Sequence, residues 1–158
     1  MYEVTSNKSS EKVNAAEVET LAAAGQFSVF AIRAWSSAAK QRMPIDHALG
    51  RFFNDFRCGP ALQLFDECMS LLAASATRKV EIGCCPSNMY VVADKNILLN
   101  CFAALERENT SRAEGIMGEV IKSRLTKAFC RSAKLYVQHL SKAGLGFTRP
   151  VNLSVVNK

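Results

Sequence analysis

Two adjacent cysteines, Cys84 and Cys85, stand between a glycine and Pro86. A thiol close to the N-terminus of a helix has a lowered pKa and forms the reactive thiolate more readily, and a helix is predicted shortly after this loop. The pair could also bind zinc, with further ligands from four other residues: Cys58, Cys68, Cys101 or His47. No Cys-x-x-Cys spacing occurs, and adjacent ligands are unusual in structural zinc sites. We therefore favour simple packing of these thiols, and keep a ligand or redox role for Cys84, Cys85, Pro86 and Cys101 as the alternative.

A second candidate is a basic stripe on the last predicted helix, formed by Arg124, Lys127, Arg131 and Lys134. Helical geometry places the four on one side, and no acidic residue occurs between Lys122 and Lys142. Such a stripe could follow the phosphates of a nucleic acid or bind another anion. No nucleic-acid-binding motif accompanies it. A solvated helix face is therefore favoured, and nucleic acid is not the expected partner.

The residues that could support catalysis are few. The only histidines, His47 and His139, fall on different predicted helices. Asp66 and Glu67 are neighbours in a helix, so their carboxylates do not face each other. No Ser/His/Asp pattern and no phosphate-binding loop occurs. Nothing in the sequence therefore argues for an enzyme, although a missing motif does not exclude one, and we expect no cofactor and no bound metal.

Composition indicates one globular domain. The chain has 158 residues, of which 49% are hydrophobic, and a formal net charge of +6. Its longest charge-free stretch, Thr20 to Ile32, is shorter than the roughly 20 residues that cross a bilayer. Residues 1–14 are polar and lack the apolar core of a secretory signal, and several cysteines fall inside helical patterns. We therefore expect a reducing compartment, the cytoplasm.

The hydrophobic periodicity predicts an all-α fold, an orthogonal or up-down bundle of about five helices. Residues 1–12 are expected to be a disordered tail, and residues 13–158 a single helical domain with an apolar C-terminal tail. A short, irregular and partly extended insert is predicted over 77–93, before the fourth helix. Asp94 is predicted to cap that helix, and Ser111 to begin one long last helix that ends near Lys142.

Two helices carry apolar residues on two sides, and these are predicted to form the centre of the bundle. The first includes Phe27, Phe30 and Trp35, and the third includes Phe65 and Leu72. In the last helix, Tyr136 and Leu135 are assigned to the inner face. The body is therefore expected to fold around the segments near Phe30 and Phe65.

The Gly83-Cys84-Cys85-Pro86 loop and the apolar helix predicted over 97–105 resemble a family of small, helix-rich alphaproteobacterial proteins of unknown function. Those proteins carry a Cys-Cys-Pro or Cys-Cys-Cys-Pro loop at the same place. The resemblance covers about 25 residues. It implies a helical fold and implies no activity, because the family has none assigned.

The surplus of apolar surface predicts a non-enzymatic helical protein that works by self-association, as a homodimer, or by binding another protein. One alternative is a thiol-based sensor or small-ligand-binding protein centred on Cys84 and Cys85. The other is a weak nucleic-acid or anion binder that uses the basic face of the last helix.

Overall fold

Six helices form the regular structure of the computed structural model, which describes residues 21–80 and 93–147. In chain order they are α1 (Ala23–Lys40), α2 (Ile45–Asp55), α3 (Ala61–Ser75), α4 (Ala93–Glu106), α5 (Thr110–Met117) and α6 (Thr126–Lys142). A 3₁₀ turn, Ser123–Leu125, precedes α6. No strand lies in the described ranges, so the predicted all-α class is confirmed.

Four helices end with the same backbone turn, in which an N–H bonds to the carbonyl five residues earlier. The donors are Met43, Cys58, Asn109 and Leu145, which close α1, α2, α4 and α6. The residue before each donor has a positive φ, which is favourable for Gly144 and costly for Arg42, Arg57 and Glu108. Pro44 directly precedes α2, and the Cys58-Gly59-Pro60 segment separates α2 from α3, because proline and glycine interrupt helices.

The core is a row of aromatic rings that crosses the bundle. Phe53 of α2 contacts Phe65 of α3, and Phe65 contacts Tyr136 of α6, with ring centroids 5.8 and 5.3 Å apart. Phe102 of α4 continues the row, because its ring centroid lies 5.3 Å from that of Tyr136 and 5.5 Å from that of Phe147. The first four of these rings are fully buried, so the predicted central position of the third helix around Phe65 is confirmed.

One long-range backbone pairing joins two connections of the bundle. The segment after α3 lies antiparallel to the segment after α5, with Ala76 opposite Ile121. Two hydrogen bonds flank this bridge, from Thr77 N–H to the Val120 carbonyl at 2.9 Å and from Lys122 N–H to the Ser75 carbonyl at 3.0 Å. Ala76, directly before the predicted insert, is therefore extended, whereas the insert itself begins with a bend at Thr77 and Arg78. Residues 81–92 of the insert lie outside the described part of the chain.

The prediction of one long last helix from Ser111 to Lys142 is wrong. The chain forms two helices instead, because Gly115 and Gly118 weaken the helix and the backbone that follows pairs with the segment after α3. The cap is Asn109, whose side chain accepts a hydrogen bond from Arg112 N–H at 3.2 Å.

The predicted cap of α4 is also wrong. This helix begins at Ala93, so Asp94 lies in its first turn. The Asp94 carboxylate accepts two hydrogen bonds from the guanidinium of Arg78, at 2.8 and 3.0 Å. The carboxylate therefore ties the segment after α3 to the start of α4.

No helix among the described residues combines the length and apolar character that crossing a bilayer requires.

Candidate functional site

Phe30 of α1, Phe52 of α2 and Phe56, the residue directly after α2, form a continuous patch at the protein surface. The ring centroids of Phe30 and Phe52 are 4.4 Å apart, and those of Phe52 and Phe56 are 5.1 Å apart. Phe30 is 52% exposed, Phe56 is 44% exposed and Phe52 is partly buried between them. We call these three residues the aromatic face. Its exposure contradicts the predicted central position of Phe30.

The aromatic face is held in place from below by buried rings. Phe27 of α1 stacks on Phe52 with centroids 4.6 Å apart and meets Phe56 edge-on at 5.3 Å. Phe27 also contacts Phe53, which belongs to the aromatic row of the core, at 4.9 Å. The exposed rings are thus the outer end of a packed aromatic cluster, and their positions are set before any partner arrives.

Exposed charges of both signs lie beside the aromatic face. Arg51 directly precedes Phe52 in the sequence, and Asp55 directly precedes Phe56. The two charged residues therefore form a row next to the two rings, on the solvent side of α2. Their side chains are 95% and 67% exposed, and the Arg51 Nε to Asp55 Oδ2 distance is 4.0 Å. An ion pair this exposed contributes little within one chain, so both groups can exchange partners.

Four large hydrophobic side chains are exposed among the described residues: Phe30, Met43, Phe56 and Leu135. Leu135 contradicts its predicted position on the inner face of the last helix, since it is 44% exposed on α6. Two of the four belong to the aromatic face, which makes that face the largest concentration of exposed apolar side chains in the described residues.

Of the predicted thiol site, Cys84, Cys85 and Pro86 lie outside the described residues. Cys101 is fully buried on α4, where its thiol hydrogen-bonds to the thiol of Cys130 on α6. This hydrogen bond and burial raise the pKa of the Cys101 thiol. A buried, neutral thiol is a poor nucleophile and a poor metal ligand.

The other described cysteines are also free and buried: Cys58, Cys68 and Cys130. Burial raises the pKa of Cys58 to about 11 and also raises the pKa of Cys68. Within residues 21–80 and 93–147, no group of three or more His, Cys, Asp or Glu side chains could hold a metal ion. The hydrogen bond from the Cys101 thiol instead lowers the pKa of the Cys130 thiol, although Cys130 is buried. Cys58 and Cys68 therefore act as small hydrophobic side chains.

The basic stripe is divided by the break before α6. Arg124 lies in the 3₁₀ turn, while Lys127, Arg131 and Lys134 lie on α6. Arg124, Lys127 and Arg131 are exposed, but Lys134 is half-buried and its Nζ lies 3.2 Å from Glu108 Oε1. Of the four predicted anion-binding residues, one is therefore already paired with a carboxylate.

The aromatic face is the part of the site that the sequence reasoning missed. Phe52 and Phe56 are four residues apart in a short helix, a spacing that places two rings on one side. A signal was therefore present in α2. No pattern in α1 distinguished Phe30 from the buried Phe27.

Comparisons with family models, with curated proteins and with solved structures find no match to this chain.

Proposed function

We propose that this protein works by self-association, and that the aromatic face of one copy packs against the aromatic face of a second copy. The observation that carries the proposal is the exposure of Phe30 and Phe56 on either side of Phe52, with centroid distances of 4.4 and 5.1 Å. Aromatic side chains are enriched at the centres of protein interfaces, where they provide much of the binding energy.

The charges beside the face favour a second copy over another kind of partner. A two-fold axis through the face would bring Arg51 of each copy opposite Asp55 of the other. A strongly acidic or strongly basic partner would match only one of the two. The rim is therefore complementary to itself, as an interface between identical copies requires.

The area of the two exposed rings indicates a weak affinity. With a phenylalanine surface of roughly 200 Å², the 52% exposure of Phe30 leaves about 100 Å² to bury, and Phe56 leaves slightly less. At about 25 cal/mol per Å², burying both rings in both copies contributes roughly 9 kcal/mol. Association costs about 4–15 kcal/mol. At the lower end of that cost about 5 kcal/mol remains, so we expect a dissociation constant of a few tenths of a millimolar.

Sedimentation velocity over a concentration series tests the proposal. The wild-type protein should change from monomer to dimer as concentration rises, and Phe30→Ser or Phe56→Ser should weaken the dimer by about 30-fold or more. Leu135→Ser is the matched control, because Leu135 is exposed to the same 44% as Phe56 but lies on α6. Its dissociation constant should stay within about twofold of wild type.

A charge swap keeps the test independent of folding, since Arg51 and Asp55 are exposed. Arg51→Glu alone should weaken the dimer, and Arg51→Glu combined with Asp55→Arg should restore it. Circular dichroism checks that each variant keeps its helices. A wild-type protein that stays monomeric at about 1 mM, or serine variants that dimerise like wild type, would overturn the proposal.

We also propose that the protein resides in the cytoplasm. Four free thiols, of Cys58, Cys68, Cys101 and Cys130, support a reducing compartment.

A further inference from the structure

A cleft lies between the second half of α1 and the end of α3. Its volume is about 300 Å³, and Trp35, Met69, Leu72 and Ala73 form its apolar part. Arg78 and Lys79, in the segment after α3, line it as well. The volume is at the lower end of the range of ligand pockets, so the cleft has room for one small ring system.

The indole of Trp35 gives the cleft a rigid apolar wall. Its only hydrogen-bond donor, Nε1–H, donates to Asp66 Oδ1 of α3 at 2.8 Å. Met69 and Leu72 are buried beneath the cleft. The ring of Trp35 is therefore fixed in orientation, and what it offers a ligand is a flat surface for stacking.

Arg78 supplies an oriented positive group. Its guanidinium donates one hydrogen bond from Nη2 and one from Nη1 to the Asp94 carboxylate, and Nη1 also donates to the Lys79 carbonyl at 3.0 Å. A guanidinium has five N–H bonds, so two are left by these three contacts. Asp94 is almost fully buried, whereas 45% of the Arg78 side chain is exposed. The buried carboxylate therefore holds the guanidinium in place while part of it faces outward.

We propose that this cleft binds a small planar aromatic carboxylate, with the ring against Trp35 and the carboxylate on Arg78. Apolar walls beside an oriented guanidinium match the two parts of such a ligand, since arginine binds planar carboxylates through parallel N–H bonds. None of these residues belongs to the aromatic face, so the inference does not depend on self-association.

Calorimetric titration of the full chain with 1-naphthoate tests the proposal, with 1-naphthalenemethanol as the uncharged probe of the same ring. Saturable binding is expected at millimolar concentration or below, with the acid at least about tenfold tighter than the alcohol. Trp35 is the single tryptophan of the chain, so its indole N–H gives one unambiguous NMR resonance that should shift during the titration.

Two pairs of variants locate the site. Ala73→Phe should abolish binding by filling the cleft, whereas Ala74→Phe, on the next residue of α3 and outside the lining, should keep it. Arg78→Gln should remove the preference for the acid and leave binding of the alcohol, whereas Arg124→Gln should change neither. The inference is overturned by a lack of saturable binding at about 1 mM, by binding that survives Ala73→Phe, or by an acid preference that survives Arg78→Gln.

Discussion

A buried hydroxyl pair between α1 and α6 allows a quantitative test of the core. Ser28 Oγ and Tyr136 Oη lie 2.7 Å apart, and both side chains are completely buried. The perturbation is a double-mutant cycle made of Ser28→Ala, Tyr136→Phe and the two changes together. Because each hydroxyl is the other's partner, the two substitutions should not have independent effects on the free energy of unfolding.

The two single changes should differ in cost. Ser28→Ala leaves the phenol of Tyr136 buried without its partner, which costs about 2–3 kcal/mol. Tyr136→Phe should cost less, about 1 kcal/mol, because the Ser28 hydroxyl can rotate to a carbonyl of its own helix one turn earlier. The double variant removes both polar groups, and its cost should fall below the sum by about 1–2 kcal/mol.

Urea denaturation followed by circular dichroism measures all four proteins. A control cycle of Ser28→Ala with Leu135→Ala, which lies exposed on α6, should be additive within about 0.5 kcal/mol. If Ser28→Ala and Tyr136→Phe are also additive, the hydroxyl pair does not stabilise the contact between α1 and α6 as argued.

The pH dependence of the free energy of unfolding gives a second test of the buried Tyr136 phenol. Burial raises the pKa of Tyr136 in the folded protein. Above about pH 10 the unfolded phenol ionises while the folded one stays neutral, so the free energy of unfolding should fall as pH rises. Burial also raises the pKa of Cys58, to about 11, and adds to the loss above about pH 9. The thiol contribution is shared by wild type and Tyr136→Phe, so the variant should lose less stability above about pH 10.

Two further predictions concern glycines and thiols. Gly50→Ala should raise the free energy of unfolding by about 0.5–1 kcal/mol, since an added Cβ in α2 meets no atom within 4 Å. Gly144→Ala should lower the free energy of unfolding by about 1 kcal/mol, because Gly144 has a φ of +87°. If calorimetry gives both variants the melting temperature of the wild type, both predictions are contradicted. The four buried cysteines are Cys58, Cys68, Cys101 and Cys130. In a Cys84→Ser/Cys85→Ser double variant, which leaves only these four, a thiol reagent should modify them only at the rate of unfolding. Modification at the rate of a model thiol in native buffer would refute it.

Local signals explain which helices could be predicted. Both ends of α2 and the start of α3 follow from Pro44 and the Cys58-Gly59-Pro60 segment, because these residues act on the backbone next to them. The break between α5 and α6 depends instead on pairing with residues 75–77, more than forty positions earlier. A periodic pattern read within one segment carries no information about such a partner.

The exposure of the aromatic face could not be predicted from the sequence either. Phe27 and Phe30 both belong to the apolar part of α1, and periodicity shows which residues share a side but not which side is covered. The neighbouring helix decides this: α2 stacks Phe52 on Phe27 and leaves Phe30 half open. Leu135 was misassigned for the same reason. The position of Tyr136 was confirmed, since that side of α6 faces α3.

The hydrogen bond from Ala24 N–H to the Gly146 carbonyl, at 2.9 Å, joins the beginning of α1 to the segment after α6. The beginning of α1 and the segment after α6 therefore lie next to each other, at one end of the molecule. A short peptide linker could join them, with new ends opened in the turn around Glu108, and such a circular permutant would keep every helix in place. For the same reason, fusion domains attached directly at Leu21 and Phe147 would be held near each other at one end of the molecule.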